Sequence, residues 1–199
     1  MKLDEIAIEA SSCTRCRLSA GRTQVVFGDG DPHADLMFIG EGPGYHEDVQ
    51  GLPFVGAAGQ LLNRLLSEIG LRREDVYIAN VVKCRPPGNR DPLPDEIESC
   101  TPYLMAQIEL IDPRVIVTLG NFATRFILDR PVAISRVRGQ KQVWNGRIVI
   151  PTFHPAAALR GGGDRSPTMN GLREDFRLIK ATLDEAPAAR PVEEQLGLF

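Results

Sequence analysis

The 199-residue chain has no apolar run near the roughly 18–20 residues that a membrane span requires. Its first residues, MKLDEIAIEASSC, are acidic and lack the apolar core of a secretory signal, so a cytoplasmic location is expected. No internal repeat is evident. The net charge of −3 is not that of a strongly basic nucleic-acid binder. Cysteine is scarce, with only Cys13, Cys16, Cys84 and Cys100. In a cytoplasmic protein this set points to a metal site rather than to disulfides. Only one pair is short, which excludes a compact zinc finger. The spacing suits an iron–sulfur cluster tying the N-terminal segment to a distant loop. Zinc remains the alternative. A thioredoxin-like redox pair is disfavoured, because no βαβ unit precedes Cys13.

Hydrophobic residues make up 43% of the chain, enough for one domain with a real core. The charge is uneven. Residues 113–163 hold eight basic side chains (Arg114, Arg125, Arg130, Arg136, Arg138, Lys141, Arg147 and Arg160) against one acid, Asp129. A basic face on an acidic protein is a candidate phosphate-binding footprint.

Residues 40–59, GEGPGYHEDVQGLPFVGAAG, form the richest stretch. An apolar run ends at Ile39, and three glycines then fall within five residues. Such a loop turns tightly and brings backbone N–H groups close to a ligand. Strands are expected at 22–27, 34–39, 76–82 and 114–119, and a hairpin about Asn145-Gly146. Helices are expected from about 55 to 69, over 94–111, 120–128 and 167–183, each with apolar residues at helical spacing. This alternation argues an α/β fold with a parallel sheet covered on both faces. Open sheets of this kind bind ligands at the carboxyl ends of their strands. Glu41, Asn80 and His154 each follow a different strand, and their convergence there defines the candidate site.

These motifs together resemble the iron–sulfur, family 4 uracil-DNA glycosylases. The likeness is carried by GEGPG at 40–44, Glu47-Asp48, GLPFVGAAGQLLN at 51–63, NVVKCRPPGNR at 80–90 and HPAAALR at 154–160. It runs from Cys13 to the last helix. It implies a three-layer fold with a central four-stranded parallel sheet, and a [4Fe-4S] cluster on Cys13, Cys16, Cys84 and Cys100. The implied activity is hydrolytic excision of uracil from single- or double-stranded DNA by a monomer working at the nucleoid. In that reading Phe54 stacks on the flipped base and Asn80 reads its Watson–Crick edge. Glu41, Gly42 and Pro43 line the base, Glu47 stands where the thymine methyl is blocked, and His154 faces uracil O2. Glu41, Gly42, Glu47 and His154 form the implied catalytic set. Arg85, Arg90, Ala158, Leu159 and Arg160 are expected to meet the DNA.

The chemistry suits these residue types. Flipping a base costs a few kcal/mol, and stacking returns ~1–3 kcal/mol. Breaking the glycosidic bond leaves negative charge on the uracil, which a neutral imidazole and backbone N–H groups stabilise. No lysine in the motifs presents itself as a Schiff-base nucleophile, so a monofunctional enzyme is expected. Two features stand out: glycine at 42, which fits this family but leaves out the water-activating aspartate of the best-known uracil glycosylases, and Ala158, where the family often has leucine. Two other classes compete, namely a uracil-DNA capture module and a zinc-stapled structural protein. The segment 83–94 lacks the histidine-bearing insertion of covalent capture relatives. Residues 1–183 are read as one domain and 184–199 as a flexible tail. The tail ends in Gln195, Leu196, Gly197, Leu198 and Phe199, which resembles the peptide by which bacterial repair proteins bind the sliding clamp.

Overall fold

The computed structural model describes residues 2–185, so the clamp-like peptide lies outside the described residues. Six strands form one sheet: β1 Asp29–Gly30, β2 Leu36–Gly40, β3 Tyr77–Asn80, β4 Val115–Leu119, β5 Gln142–Trp144 and β6 Arg147–Thr152. Their order is β1-β3-β2-β4-β6-β5. The four central strands pair in parallel, in register Gly40 with Asn80, Leu36 with Val115 and Val115 with Ile148. The expected four-stranded parallel sheet is therefore the middle of a wider, mixed sheet. β1 and β5 add antiparallel edges.

The central strands are largely apolar because both faces are covered. One face, with Met37, Ile39, Ala79 and Ile116, packs against α1 Leu3–Ser11, α4 Pro94–Ile111 and α5 Gly120–Leu128. The other, with Leu36, Phe38, Ile78 and Val117, packs against α3 Ala57–Glu68, α7 Pro155–Arg160 and α8 Pro167–Asp184. Leu61, Leu62, Leu65 and Leu66 form the buried stripe of α3. Burying one such side chain contributes about 1.5–3 kcal/mol. Helix ends follow local chemistry. Pro94 and Pro167 open α4 and α8 at positions that need no N–H partner, and Ser166 Oγ accepts from Met169 N at 3.1 Å.

Two short helices, α2 Tyr45–Gln50 and α6 Ile134–Val137, complete the fold. The expected strand at 22–27 is not formed. Residues 22–28 run as irregular chain, tied to the fold by Val26 N donating to Lys83 O at 2.8 Å. Val26 is buried without joining a ladder. The chain leaves β2 toward β3 on one side, then returns past β2 to reach β4. The sheet's switch point therefore lies between the loops after β2 and β4, where α/β sheets open a crevice.

Candidate active site

A cleft of about 1240 Å³ opens at that switch point. Glu41, Gly42, Pro43, Glu47, Phe54, Asn80 and His154 all line it. Asn80 ends β3 and is 1% exposed, yet its Oδ1 has no hydrogen-bond partner. A buried amide left unpaired costs ~1–3 kcal/mol, so this atom marks where a ligand belongs. Opposite it, at the end of β2, Gly40 has no side chain. A β-carbon there would strike both Asn80 Oδ1 and the Phe54 ring.

Phe54 sits in the left-handed region, with φ 52°. Such a conformation is strained for a bulky residue and needs support. Arg73 supplies it, donating to Phe54 O at 3.1 Å and to Pro53 O at 2.5 Å. Glu47 Oε1 accepts from Val55 N and Gly56 N, each at 2.9 Å. Gly59 leaves room for Phe54 O, which any β-carbon there would overlap. One oxygen of Glu47 is thus committed to holding the loop that carries Phe54. Gly42 is equally constrained: a β-carbon would lie 2.7 Å from Val82 Cγ2.

The Phe54 and His154 rings lie 5.7 Å apart, tilted by 31°. His154 Nδ1 accepts from Ala156 N at 3.2 Å, capping α7. A neutral ring bound in this way carries its proton on Nε2. Burial first, and then the Arg160 charge, hold the imidazole down to about 4, with Glu47 opposing. His154 is therefore a neutral donor at physiological pH. Glu41 is shifted the other way, pushed up to about 7 by burial, by the Asp91 charge and by a hydrogen bond with the Asp91 carboxyl.

The expected DNA contacts divide. Arg90 and Arg160 line the cleft. Arg90 also pairs with buried Glu96 at 2.6 and 2.8 Å. Arg85 donates to Asn89 Oδ1 at 2.7 Å and covers the Tyr45 ring at the rim. Ala158 is a correction. Residues 155–160 form a helix rather than a loop, and Ala158 faces the core with 0% exposure, so it cannot reach DNA. Leu159 beside it is 43% exposed. The basic footprint is also smaller than its sequence count. Arg114, Arg138, Lys141 and Arg147 pair with Asp35, Asp175, Glu185 and Asp112. Arg125 and Arg160 line the cleft without a carboxylate partner among the described residues. Sequence reasoning missed Arg73 and Asp91, whose relation to the site exists only once the chain is folded.

Cys13, Cys16, Cys84 and Cys100 are free thiols lining one separate cavity. Lys83 N donates to Cys100 Sγ at 3.2 Å, and Arg22 Nη1 to Cys84 Sγ at 3.5 Å. Among the described residues, no three His, Cys, Asp or Glu side chains converge as a single ion requires.

The fold and cleft define an α/β protein whose cleft brings together an unpaired amide oxygen, an aromatic face and a neutral imidazole. Residues 27–177 match the family model described as the uracil DNA glycosylase superfamily. The chain is 48% identical over 194 residues to the type-4 uracil-DNA glycosylase of Saccharolobus solfataricus, covering 93% of this chain and 88% of that protein. It is 54% identical over 162 residues to the type-4 uracil-DNA glycosylase of Thermotoga maritima, covering 80% and 84%. A 134-residue stretch, 67% of this chain, is 38% identical to 14% of a DNA polymerase of Bacillus phage SP01. The chain belongs to the uracil DNA glycosylase superfamily.

The His154 environment predicts a pH-dependent stability. Its native pKa lies below the ordinary value, so between about 6.5 and about 4 the unfolded chain binds the proton more readily. Stability is therefore lost as pH falls through that window, and this contribution changes no further below it. Urea unfolding of wild type and His154→Gln at about pH 7 and about pH 4.5 measures the effect. Wild type is expected to lose about 2 kcal/mol more than the variant. Equal losses would place the imidazole in solvent.

Proposed function

We propose that this chain is a monofunctional type-4 uracil-DNA glycosylase. It takes uracil flipped out of single- or double-stranded DNA and hydrolyses its N-glycosidic bond, leaving an abasic site. The unpartnered, buried amide of Asn80 beside the Phe54 ring carries this reading. An amide there donates to uracil O4 and accepts from N3–H, whereas cytosine presents the opposite pattern at both atoms. Phe54 stacks on the base, while Gly42 and Pro43 border it. Neutral His154 donates from Nε2 toward O2. As the sugar–base bond breaks, its electron pair passes to uracil N1, and that donor stabilises the negative charge. Water adds to the sugar carbon with Glu41 beside it, and the proton that it releases passes to the uracil anion or to solvent. Glu47 holds the Phe54 loop and narrows the pocket at the thymine methyl. Arg85, Arg90, Leu159 and Arg160 meet the strand. Among the described residues no lysine lines the cleft, which supports hydrolysis without strand cleavage.

The measurement is multiple-turnover release of uracil from an oligonucleotide, with single-turnover rates for variants. His154→Ala is expected to slow excision ~10²–10³-fold. Asn80→Asp is expected to abolish uracil excision, because it removes the donor to O4. Wild-type rates in both variants would place the base elsewhere. Uracil bound without turnover would favour the capture module.

The cysteine cavity fits a [4Fe-4S] cluster on Cys13, Cys16, Cys84 and Cys100. All four thiols line one space, and two sulfurs accept N–H donors, as cluster thiolates do. The cluster would supply a covalent tie between the N-terminal segment and the loop after β3. Anaerobically purified protein is expected to be brown with about four irons per chain. Zinc alone would overturn this assignment.

Residues 1–183 act in this reading as one catalytic monomer, and the tail as a tether ending in a clamp-binding peptide at Gln195, Leu196, Leu198 and Phe199. Adjacent Leu198 and Phe199 supply apolar anchors, and Gln195 a polar one. Deleting residues 195–199 is expected to abolish binding to the sliding clamp of its own organism and leave excision on short oligonucleotides unchanged. No affinity of the full chain for that clamp would reject the tether.

A further inference from the structure

Arg73 belongs to no motif and does not border the cleft. It sits in the one-turn helix Arg73–Asp75, just before β3. All three nitrogens of its guanidinium are committed. Nη1 donates to Phe54 O at 3.1 Å, Nη2 to Pro53 O at 2.5 Å and Nε to Asp29 Oδ2 at 3.1 Å. Asp29 is itself fixed, because β1 pairs it with Ile78 of β3. Only 22% of the Arg73 side chain is exposed.

The pair of carbonyls matters. Successive carbonyls point to opposite sides of an extended chain and to the same side of a helical one, left-handed turns included. A planar fork that donates to both Pro53 O and Phe54 O therefore fits the left-handed turn at Phe54. It does not fit the extended form that a bulky side chain prefers. A lysine ammonium lacks this fork and would hold the two oxygens less well.

We propose that Arg73 is a positioning residue for Phe54: its fork, seated on Asp29, keeps the ring in place before a base arrives, and so sets how well the cleft distinguishes flipped uracil from undamaged DNA. This inference rests on the reading of the cleft as a uracil-DNA site. Without the fork, the backbone at Phe54 relaxes toward favourable dihedrals and the ring leaves its place over Gly40. Binding a flipped base then has to restore the ring. Apparent affinity falls by the fraction of molecules that still hold it, while the chemistry within the bound complex keeps its rate. Glu47 Oε1 still holds Val55 N and Gly56 N, so the loss is partial.

The test uses the full-length protein. Single-turnover excision from a uracil oligonucleotide, over a range of enzyme concentrations, gives the half-saturating concentration and the saturating rate. Fluorescence anisotropy gives Kd for the matching undamaged oligonucleotide. Arg73→Ala is expected to raise the half-saturating concentration about tenfold, within the range of one lost base–aromatic stack, and to keep the saturating rate within about twofold of wild type. Its Kd for undamaged DNA should not change. Arg73→Lys restores the charge without the fork and should fall between wild type and Arg73→Ala. Arg72→Ala removes the same charge from the neighbouring position and should match wild type. Asp29→Asn loosens the seat of the guanidinium and should act in the same direction, but less. If Arg73→Ala does not fold, Arg73→Lys and Asp29→Asn carry the test. Equal losses of affinity for both oligonucleotides, or a lower saturating rate alone, would overturn the inference. So would wild-type behaviour of the Arg73 variants where Phe54→Ala loses its preference for uracil, a result that leaves the cleft reading intact. No excision by wild type would overturn both.

Discussion

Gly40 is the point on which the cleft depends. Three groups from separate parts of the chain meet over its missing side chain: the Asn80 amide, the Phe54 ring and, beyond the ring, the His154 imidazole. Strand pairing sets the first of these distances, because Gly40 and Asn80 are partners in the β2–β3 ladder. The second depends on a loop held in an unfavourable conformation. Phe54 adopts φ 52° because Arg73, Glu47 and the space over Gly59 leave its backbone no other course. The strain is localised at an aromatic side chain that lines the cleft, as expected where surrounding structure over-determines a conformation. A fold that was rigid everywhere except at this loop would lose its stacking face first.

The electrostatics of the cleft follow from how few of its charges are free. Burial keeps His154 neutral, so it offers the cleft a hydrogen-bond donor without adding a cation to it. The acid at the end of β2 is shifted the opposite way by the same physical cause, desolvation of its charged form. The two groups are thus separated in pKa by environment rather than by residue type. Around them, the basic residues of 113–163 divide between structure and surface. Arg138 clamps Asp175, whose other contacts include Thr152 Oγ1 at 2.6 Å, and so joins α8 to β6. A guanidinium spent this way adds little to a long-range field, whereas Arg125 and Arg160 at the cleft retain theirs.

Much of the fold was legible because its strongest signals are local. Buried parallel strands read as unbroken apolar runs, and α4, α5 and α8 begin and end where proline, glycine and helical spacing place them. The site was legible for the same reason: Glu41, Asn80 and His154 each follow a strand, and parallel strands bring their carboxyl ends together. What was not legible depends on partners remote in sequence. Val26 lies in an apolar stretch that resembles a strand but finds only one backbone partner, Lys83. Ala158 belongs to a helix whose inward face is chosen by α3 and α8, not by its own motif. Arg73 reaches Phe54 across nineteen positions, and four of the eight basic residues meet acids outside their segment. Motifs name the residues that touch a ligand far better than those that hold them.

The cysteine cavity and the cleft are joined through one short stretch of chain. Asn80 ends β3, Lys83 follows three residues on, and Cys84 is next. Lys83 is fully buried. Its Nζ donates to Asn80 O at 2.9 Å and to Gln107 Oε1, while its N–H reaches Cys100 Sγ at 3.2 Å. Gln107 in turn donates to Phe27 O and Tyr77 Oη, anchoring the same knot to α4 and β3. A buried amino group left without such partners would cost about 1–3 kcal/mol, so these acceptors are part of what holds Lys83 inside. Asn80 thus takes its backbone position from the same packed network that seats the cysteines. The cysteine-bearing cavity is therefore coupled to the cleft through ordinary hydrogen bonds over a few residues.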